Sequence, residues 1–343
     1  EPSGGGGELP GFDYALFADG KINMGEGSSK ILGNVATRHG PVEFPSDSQI
    51  DGNLYFGPSV EDPRAEITHP SWKPLQRQEG NNTEPCITKE IGSLTEDEDR
   101  EYQYPSPEFP DYPTGLDERS DPNPDWDDAI VISEDGYYPT FSIGSDRTVT
   151  IDTGGEDEER IILVKNFNLS QGHIVLQGSG KLKLYVTDSF TMGGSSKINY
   201  GTSGEGDPAR VTLYYGGENK FVLENNIGLN GTVVVKDAEV QINDAGKLRG
   251  SLISGGPKVT IQGDGEAVVK VIYAPNAAVK LENSGRVRGA VVCQTFEASG
   301  NARLIYDESA QDIPLPDDVF SPPEGNESEG GDISITSWSS GLS

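Results

Sequence analysis

The segment 121–128, with the sequence DPNPDWDD, places an oxygen-bearing side chain at every second position. These four residues are Asp121, Asn123, Asp125 and Asp127. Carboxylate and amide oxygens at alternate positions are typical of a Ca²⁺-binding loop. An EF-hand loop has glycine at its sixth position, where this segment has Trp126, and Pro122 and Pro124 restrict how its backbone can wrap. Two alternatives therefore remain, a Ca²⁺ site or a solvated acidic loop, and we expect no other cofactor.

Residue types that suit catalysis are sparse. The sequence has three histidines, His39, His69 and His173, and it contains neither a Gly-x-Ser-x-Gly elbow nor a phosphate-binding Gly loop with Lys. A glycosidase needs two carboxylates at a defined separation, but among 56 acidic residues some pair meets it by chance. His173, in QGHIV, lacks a paired-Asp motif on an adjacent turn, so we interpret it as a surface or turn residue. The sequence predicts that the protein is not an enzyme.

The elements that would position any such groups form a repeat. Five segments between Phe221 and Tyr306 each alternate apolar residues, pass through a short polar turn and alternate again. The predicted inward residues before the turns are Leu223, Ile242, Ile261, Leu281 and Ala298, and those after the turns are Leu229, Leu248, Val268, Val287 and Leu304. Period-2 alternation indicates strands with one buried face, and a fixed period near twenty indicates a solenoid. The predicted fold is all-β, a single-stranded β-solenoid (β-helix) with turns of about 19–20 residues.

The same unit occurs outside this region. Near the N-terminus its inward pairs are Met24 with Ile31 and Phe44 with Ile50, and in the middle of the chain they are Leu176 with Leu182 and Met192 with Ile198. Three repeats contain an apolar-x-Gly-x-apolar pattern, at Leu229 to Val233, Leu248 to Leu252 and Val287 to Val291, and Gly33 and Gly52 occupy the glycine position of this pattern. We therefore expect solenoid turns in both halves of the chain.

Net charge and hydropathy exclude several classes of partner. The formal net charge is −30, which argues against nucleic acid and against anionic lipid, because both require a basic surface. No stretch approaches eighteen apolar residues, so the sequence predicts no membrane span. Only 33% of the residues are hydrophobic, which suits a solenoid, whose core is a thin column of side chains.

The repeat divides the chain into five predicted parts. In order, these are a flexible Gly-rich arm at 1–13, the first solenoid turns at 14–58, an acidic Pro/Tyr-rich insertion at 59–128, the main β-solenoid at 129–307, and a polar tail at 308–343 that ends in a short strand. The insertion has the composition of a disordered segment but carries Trp72, Trp126 and several tyrosines. It either lies partly ordered along the solenoid or links the solenoid to a partner.

The terminal segments and the two cysteines carry further expectations. The chain begins at Glu1 rather than Met, which indicates a processed or trimmed N-terminus. Ile333, Ile335 and Trp338 in DISITSW form a predicted short strand, which needs a sheet edge to pair with, either of its own solenoid or of a neighbouring molecule. Cys86 and Cys293 fit no metal or redox spacing, and they either form one disulfide in an oxidising compartment or stay free.

The segment VIYAPNAAVKLENSGRVRGAVVCQTFEASGNARLIYDES, residues 271–309, resembles the C-terminal β-solenoid of bacterial pilus-associated surface proteins of the PilX type. The matching residues are Tyr273, Ala274, Pro275, Asn276, Ala277, Gly289, Ala290, Tyr306, Asp307 and Glu308. KLKLYVTDSFTMGGSSKIN (181–199) is similar to the same family, and YALFADGKINMGEGSSKILGNV (14–35) resembles its bactofilin-like short-turn modules. Such proteins usually begin with a prepilin-like hydrophobic helix, which this sequence lacks, so either the helix has been removed or another subunit supplies it.

The resemblance implies an extracellular, cell-surface structural role as a subunit or accessory of a pilus or filament. Its expected partners are other copies of the chain or other pilin subunits, contacted through the termini. One alternative is an adhesin or carbohydrate-binding tip that uses Trp72, Trp126 and the tyrosines of the insertion as stacking platforms for sugars. The other alternative is a β-helix polysaccharide lyase or hydrolase.

Overall fold

The structure is a computed structural model that describes residues 14–43, 48–56, 104–122, 130–201, 204–263, 266–310 and 316–320, together with the backbone of short strands within 67–90. The strands of the N-terminal third are β1 Leu16–Ala18, β2 Ile22–Gly27, β3 Lys30–Leu32, β4 Val35–Thr37, β5 Val42–Glu43, β6 Gln49–Asp51, β7 Leu54–Phe56, β8 Ile67–Thr68, β9 Gln76–Glu79, β10 Asn82–Pro85 and β11 Thr88–Glu90.

The remaining strands run from residue 130 to residue 305. They are β12 Ile130–Ile132, β13 Gly136–Gly144, β14 Thr148–Asp152, β15 Glu159–Ser170, β16 His173–Gln177, β17 Lys181–Gly193, β18 Lys197–Ile198, β19 Tyr200–Gly201, β20 Gly204–Glu205, β21 Val211–Tyr215, β22 Phe221–Leu223, β23 Gly228–Asn230, β24 Thr232–Val235, β25 Val240–Ile242, β26 Lys247–Ser254, β27 Lys258–Gln262, β28 Glu266–Glu282, β29 Arg286–Gly300 and β30 Arg303–Ile305. Three short 3₁₀ helices lie at Pro208–Arg210, Glu308–Ala310 and Asp317–Val319.

The fold is a β-solenoid with three faces, as the repeat predicts. Each turn contributes one strand segment to each face, and successive turns pair in parallel. Face A contains β21, β24 and the end of β26; face B contains β22, β25 and β27; and face C contains β23, the start of β26 and β30. β28 and β29 are long strands that bend around the corners and contribute to all three faces.

The predicted inward column of face B is confirmed residue by residue. Leu223 pairs with Ile242, which is followed through the stack by Ile261, Leu281, Ala298 and Met24. All six are buried. Four phenylalanine rings continue this face toward β13 in the first turn, and they stack on one another as a ladder. From Phe141 through Phe167 and Phe190 to Phe221, their successive centroids are 5.5, 5.2 and 4.6 Å apart. Vertical stacking of like side chains is thus the main packing motif of the core.

Two details of the predicted register on the other faces are wrong. On face C the residue between Leu248 and Val287 is Ala267 and not Val268, because the extra residue of this turn forms a bulge after position 268. Leu176 and Leu182 do not form a unit of the same kind as Met192 and Ile198. Leu176 pairs with Ile151 on face C, whereas Leu182 pairs with Val211 on face A.

The order of the turns in the stack differs from their order in the chain. The turn that contains β29 and β30 is followed by β1, β2 and β3 from the N-terminal segment. Further turns then add β4 to β8, and β11 pairs with β7. The connection from β11 to β12 therefore spans the whole stack, eleven steps of face A at ~4.8 Å each, or about 50 Å.

Candidate functional site

Face A is apolar on both of its sides. Its inner column consists of Ile162, Leu184, Leu213, Val233, Leu252, Ile272, Val291, Leu16, Val35 and Leu54. Its outer column, one residue further along each strand, consists of Leu163, Tyr185, Tyr214, Val234, Ile253, Tyr273, Val292, Phe17, Ala36 and Tyr55. The sequence signal is the unbroken apolar runs VTLYY, TVVV and AVVC, which are typical of strands buried on both sides.

Residues 104–122, which we call the strap, cover this outer column from Phe17 to Leu163. The strap runs along the stack, across the strands, from Phe17 to Tyr137. Tyr104 packs against Phe17 and Tyr273 with ring centroids 4.8 and 5.9 Å apart. Further along, Phe109 contacts Tyr214 at 6.2 Å and Tyr112 contacts Tyr185 at 6.4 Å. Three strap aromatics therefore cover four of the five aromatic positions in the outer column, and the fifth, Tyr55, packs against Tyr14.

Hydrogen bonds fix the strap at both ends. The buried Tyr273 hydroxyl donates to the Pro105 carbonyl oxygen at 2.6 Å, and the Asn276 amide donates to the Ser106 hydroxyl at 2.9 Å. At the other end the Arg119 N–H donates to the Tyr137 carbonyl and the Tyr137 N–H to the Asp117 carbonyl, both at 2.8 Å. The strap thus adds a short ladder to the first turn of the solenoid. Of the two arrangements that the sequence left open for the insertion, residues 104–122 adopt the one along the solenoid.

A second segment, residues 316–320, lies on the same face beside the strap. The Tyr214 hydroxyl donates to the Asp318 carboxylate, with its oxygens at 2.9 and 2.8 Å, and Lys183 Nζ lies 3.2 Å from Asp318. Burial raises the pKa of Tyr214, and the adjacent Asp318 charge raises it further. Burial lowers the pKa of Lys183, but the Asp318 and Glu159 carboxylates outweigh it, so the pKa lies above its usual value. Tyr214 therefore stays a neutral donor and Lys183 a cation at neutral pH.

Of the four candidate Ca²⁺ ligands, only Asp121 lies among the described residues. Asp121 lies at the end of the strap, exposed, with its Oδ1 accepting the Ser142 N–H at 2.8 Å. Asn123, Asp125 and Asp127 lie outside the described residues, so the Ca²⁺ site stays a prediction. Across the described ranges no three His, Cys, Asp or Glu side chains converge as a metal site.

The assembly strand and the disulfide also remain predictions. Ile333, Ile335 and Trp338 lie outside the described residues, as does Cys86. Cys293 forms no disulfide with a described residue and is fully buried on the inner side of face A, with its Sγ 3.8 Å from the Phe17 carbonyl oxygen. Burial raises the pKa of this thiol, so it is a poor nucleophile at neutral pH.

His173 lies on the outer side of face C between Thr148 and Lys197. Burial lowers its pKa, the Lys197 charge lowers it further, and Asp146 raises it. Its Nδ1 is buried and has no hydrogen-bond partner among the described atoms. His39 Nε2 lies 3.8 Å from Asp19 Oδ1 at the surface. The geometry thus gives neither of these two histidines the paired carboxylates of a glycosidase site.

Two of the best-formed surface grooves on the described part of the chain are shallow. One, of about 210 Å³, lies on face B over Phe296 and is crossed by the Lys280–Glu297 ion pair. The other, of about 280 Å³, lies at the first turn beside Val131 and Arg119. Ligand pockets typically enclose roughly 300–1,000 Å³. The covered face A, rather than a cleft, is the most elaborate feature of this surface.

No helix in the described ranges has the length and apolar character required to cross a membrane.

Comparison with known proteins gives a family but no activity. None of the curated proteins matches the chain. A family described as a domain of unknown function, DUF7305, matches residues 75–262 and 253–313, which together exceed half of the chain and include the strap and most of the solenoid. The chain therefore belongs to the DUF7305 family.

Proposed function

We propose that this protein is a non-catalytic, extracellular structural protein that serves as a subunit or accessory of a bacterial surface filament or pilus. The observation that carries the proposal is the combination of an elongated solenoid with a strap that closes its one doubly apolar face. A solenoid is stiff along its axis, because every turn hydrogen-bonds to the next. A structural role of this kind does not require a ligand-binding cleft. The resemblance of residues 271–309 to pilus-associated proteins points to the same role.

The first turn of the solenoid provides a surface for such a role. Within the described part of the chain, β12 pairs with β14 on one side only, and Val131 is 52% exposed. An unpaired strand edge is a template for pairing with another chain unless it is capped. The end of the stack is therefore a place where a terminal strand of a neighbouring subunit would add, as we propose for the segment that contains Ile333, Ile335 and Trp338.

Electron microscopy of the native protein at the cell surface, beside purified protein, tests the proposal. We expect filaments that contain this chain as a repeating or decorating component. Deleting residues 332–343 should abolish assembly while the circular dichroism spectrum of the solenoid is kept. Only discrete monomers, with no filament at the cell surface that contains the chain, would reject the structural role.

The adhesin alternative stays a prediction, since Trp72 and Trp126 lie outside the described residues. Loss of glycan-array binding on Trp126→Ala would support it. Turnover of a polyuronate by the purified protein would revive the lyase or hydrolase alternative.

A further inference from the structure

Basic side chains are collected on the outer side of face C, although the protein as a whole is strongly acidic. The register places them in two adjacent columns, which we call the basic stripe: Lys197, Lys247, Arg286, Arg303 and Lys30 in one column, and Arg249 and Arg288 in the other. Glu266 occupies the register position between Lys247 and Arg286. The stripe contains seven of the 26 Lys and Arg residues of a chain whose net charge is −30.

The middle of the stripe is open to a partner. Lys247, Arg286, Arg288 and Arg303 are exposed. Among the side chains that the structure describes, which exclude that of Glu266, no ion-pair partner is found for these four or for Lys30. By contrast, three lysines of face B pair with a carboxylate of the next turn: Lys21 with Glu43 at 2.6 Å, Lys220 with Glu239 at 3.1 Å and Lys280 with Glu297 at 2.5 Å. Carboxylates of the next turn thus neutralise three lysines of face B, whereas among the described register positions of the stripe Glu266 is the one acidic residue that lies between basic residues.

The strap on face A has the opposite charge. Its exposed ionisable residues are Glu108, Asp111, Asp117, Glu118 and Asp121. The one basic residue of the strap, Arg119, is half-buried and pairs with Glu134 at 2.7 Å. Glu308 is also exposed, whereas the charge of Asp318 is offset by Lys183, whose Nζ lies 3.2 Å away. Face A therefore presents an acidic ridge that runs along the solenoid axis.

We infer that the basic stripe of one copy binds the acidic strap of a second copy, so that solenoids associate side by side. Both surfaces run along the stack. The stripe spans six steps from Lys197 to Lys30, about 29 Å at the usual strand spacing, and the strap spans more than that length. The Debye length is about 8 Å at physiological ionic strength, so the remaining negative charge of the molecule is screened while the facing charges are not. This inference rests on the proposed structural role for its setting, because it names the partner that the filament would use.

The symmetry of the contact has a consequence that can be tested. Stripe and strap lie on different faces of the same molecule, so the interface is heterologous, and a heterologous interface that does not close gives an open assembly. If one copy has an intact stripe but a mutated strap, and a second copy has an intact strap but a mutated stripe, the two can form a dimer but no larger assembly.

Sedimentation velocity of the full chain at a lower salt concentration of about 150 mM, where the Debye length is about 8 Å, and at about 500 mM measures this association. The stripe variant combines Arg286→Glu and Arg303→Glu, and the strap variant combines Asp111→Lys and Glu118→Lys. We expect the wild type to form concentration-dependent oligomers at the lower salt concentration that dissociate at the higher one. Each variant alone should associate at least about tenfold more weakly, and their equimolar mixture should give dimers.

Two controls keep the outcome unambiguous. Lys165→Glu with Lys181→Glu makes the same change in net charge as the stripe variant at exposed positions outside the stripe, and it should associate like the wild type. Thermal unfolding followed by circular dichroism should be unchanged in every variant. A wild type that stays monomeric at the lower salt concentration, or a stripe variant that associates normally, would overturn the inference.

Other outcomes separate this inference from its alternatives. A monomeric wild type that is retained on immobilised polygalacturonate through Arg286 and Arg303 would replace the second copy by an anionic glycan. Filaments that form on cells with the stripe variant, and are lost on deleting residues 332–343, would overturn the side-by-side contact and leave the proposed structural role intact.

Discussion

Leu16 and Val291 are paired neighbours in face A, although they lie near opposite ends of the chain. The pairing continues through Ile22 with Phe296 and Ile31 with Leu304. The N-terminal turns are thus continuous with the C-terminal end of the main solenoid. The point where one segment gives way to the other is near Gly33, where an added Cβ would lie 2.7 Å from that of Tyr306 and 2.9 Å from that of Ala15.

Because the N-terminal turns pair directly with the C-terminal end of the main solenoid, we expect the fold to tolerate circular permutation. Fusing Ser343 to Glu1 and opening the chain between Leu94 and Thr95 keeps every strand pairing of the solenoid. We expect the permutant to show the far-ultraviolet spectrum of the parent and a melting temperature within a few degrees of it, measured by circular dichroism.

Opening the chain inside face A is the matched control. New termini between Val291 and Val292 would interrupt β29 where it pairs with both β28 and β1, and this variant should not fold. A permutant opened at Leu94 that fails to fold, or one opened in β29 that folds, would contradict the proposed continuity of the two segments.

Tyr273 should be central to the docking of the strap. Its ring is fully buried, and its hydroxyl donates to the Pro105 carbonyl oxygen. Tyr273→Ala should lower the free energy of unfolding by about 3–5 kcal/mol, as for other buried aromatic residues. Tyr273→Phe removes one hydrogen bond and should cost about 0.5–1.5 kcal/mol. Urea denaturation measures both values.

Limited proteolysis separates local from global effects of these variants. Tyr273→Ala should speed cleavage within residues 104–122 more than cleavage within the solenoid. Equal protection of the strap in Tyr273→Ala and in the wild type would mean that the strap does not depend on this residue.

Gly250 should tolerate no side chain. Its φ is +132°, and an added Cβ would lie 2.2 Å from the carbonyl oxygen of Gly231 in the preceding turn. Gly250→Ala combines backbone strain with overpacking and should cost about 2–5 kcal/mol in the free energy of unfolding. Gly155→Ala is the control, since no atom lies within 4 Å of its added Cβ, and it should be nearly neutral. Similar stabilities of the two variants would refute this packing argument.

His173 should make stability depend on pH in a narrow window. Its native pKa lies below the ordinary value of 6.5, because burial and Lys197 disfavour the charged form. As the pH falls below about 6.5, the unfolded chain takes up a proton that the native state resists, so the native state loses stability until His173 is itself protonated. His173→Gln should remove this component. The measurement is the difference in unfolding free energy between variant and wild type at pH 7.5 and in steps down to pH 5, where a constant difference would contradict the assignment.

The repeat, the strand period and the inward column of face B follow from the sequence alone. The alternation of apolar and polar residues in segments such as VQI and VTI indicates which side chains face inward, because successive side chains of a strand point to opposite sides. The spacing of Leu223, Ile242 and Ile261 indicates which residues stack, because each turn must place its apolar residue at the same position on the face. Local chemistry thus determined the fold class and most of the register.

Three features depend on contacts between distant parts of the chain. The bulge that puts Ala267 rather than Val268 in the column is set by how one turn closes over its neighbours. The strap is set by the apolar outer side of face A, which exists only once ten turns have been stacked. The junction of Leu16 with Val291 is set by matching the edges of two separate segments. Periodicity fixes each turn from its own residues, but the order of turns and the covering of a face depend on which surfaces remain unpaired, and only the tertiary structure decides that.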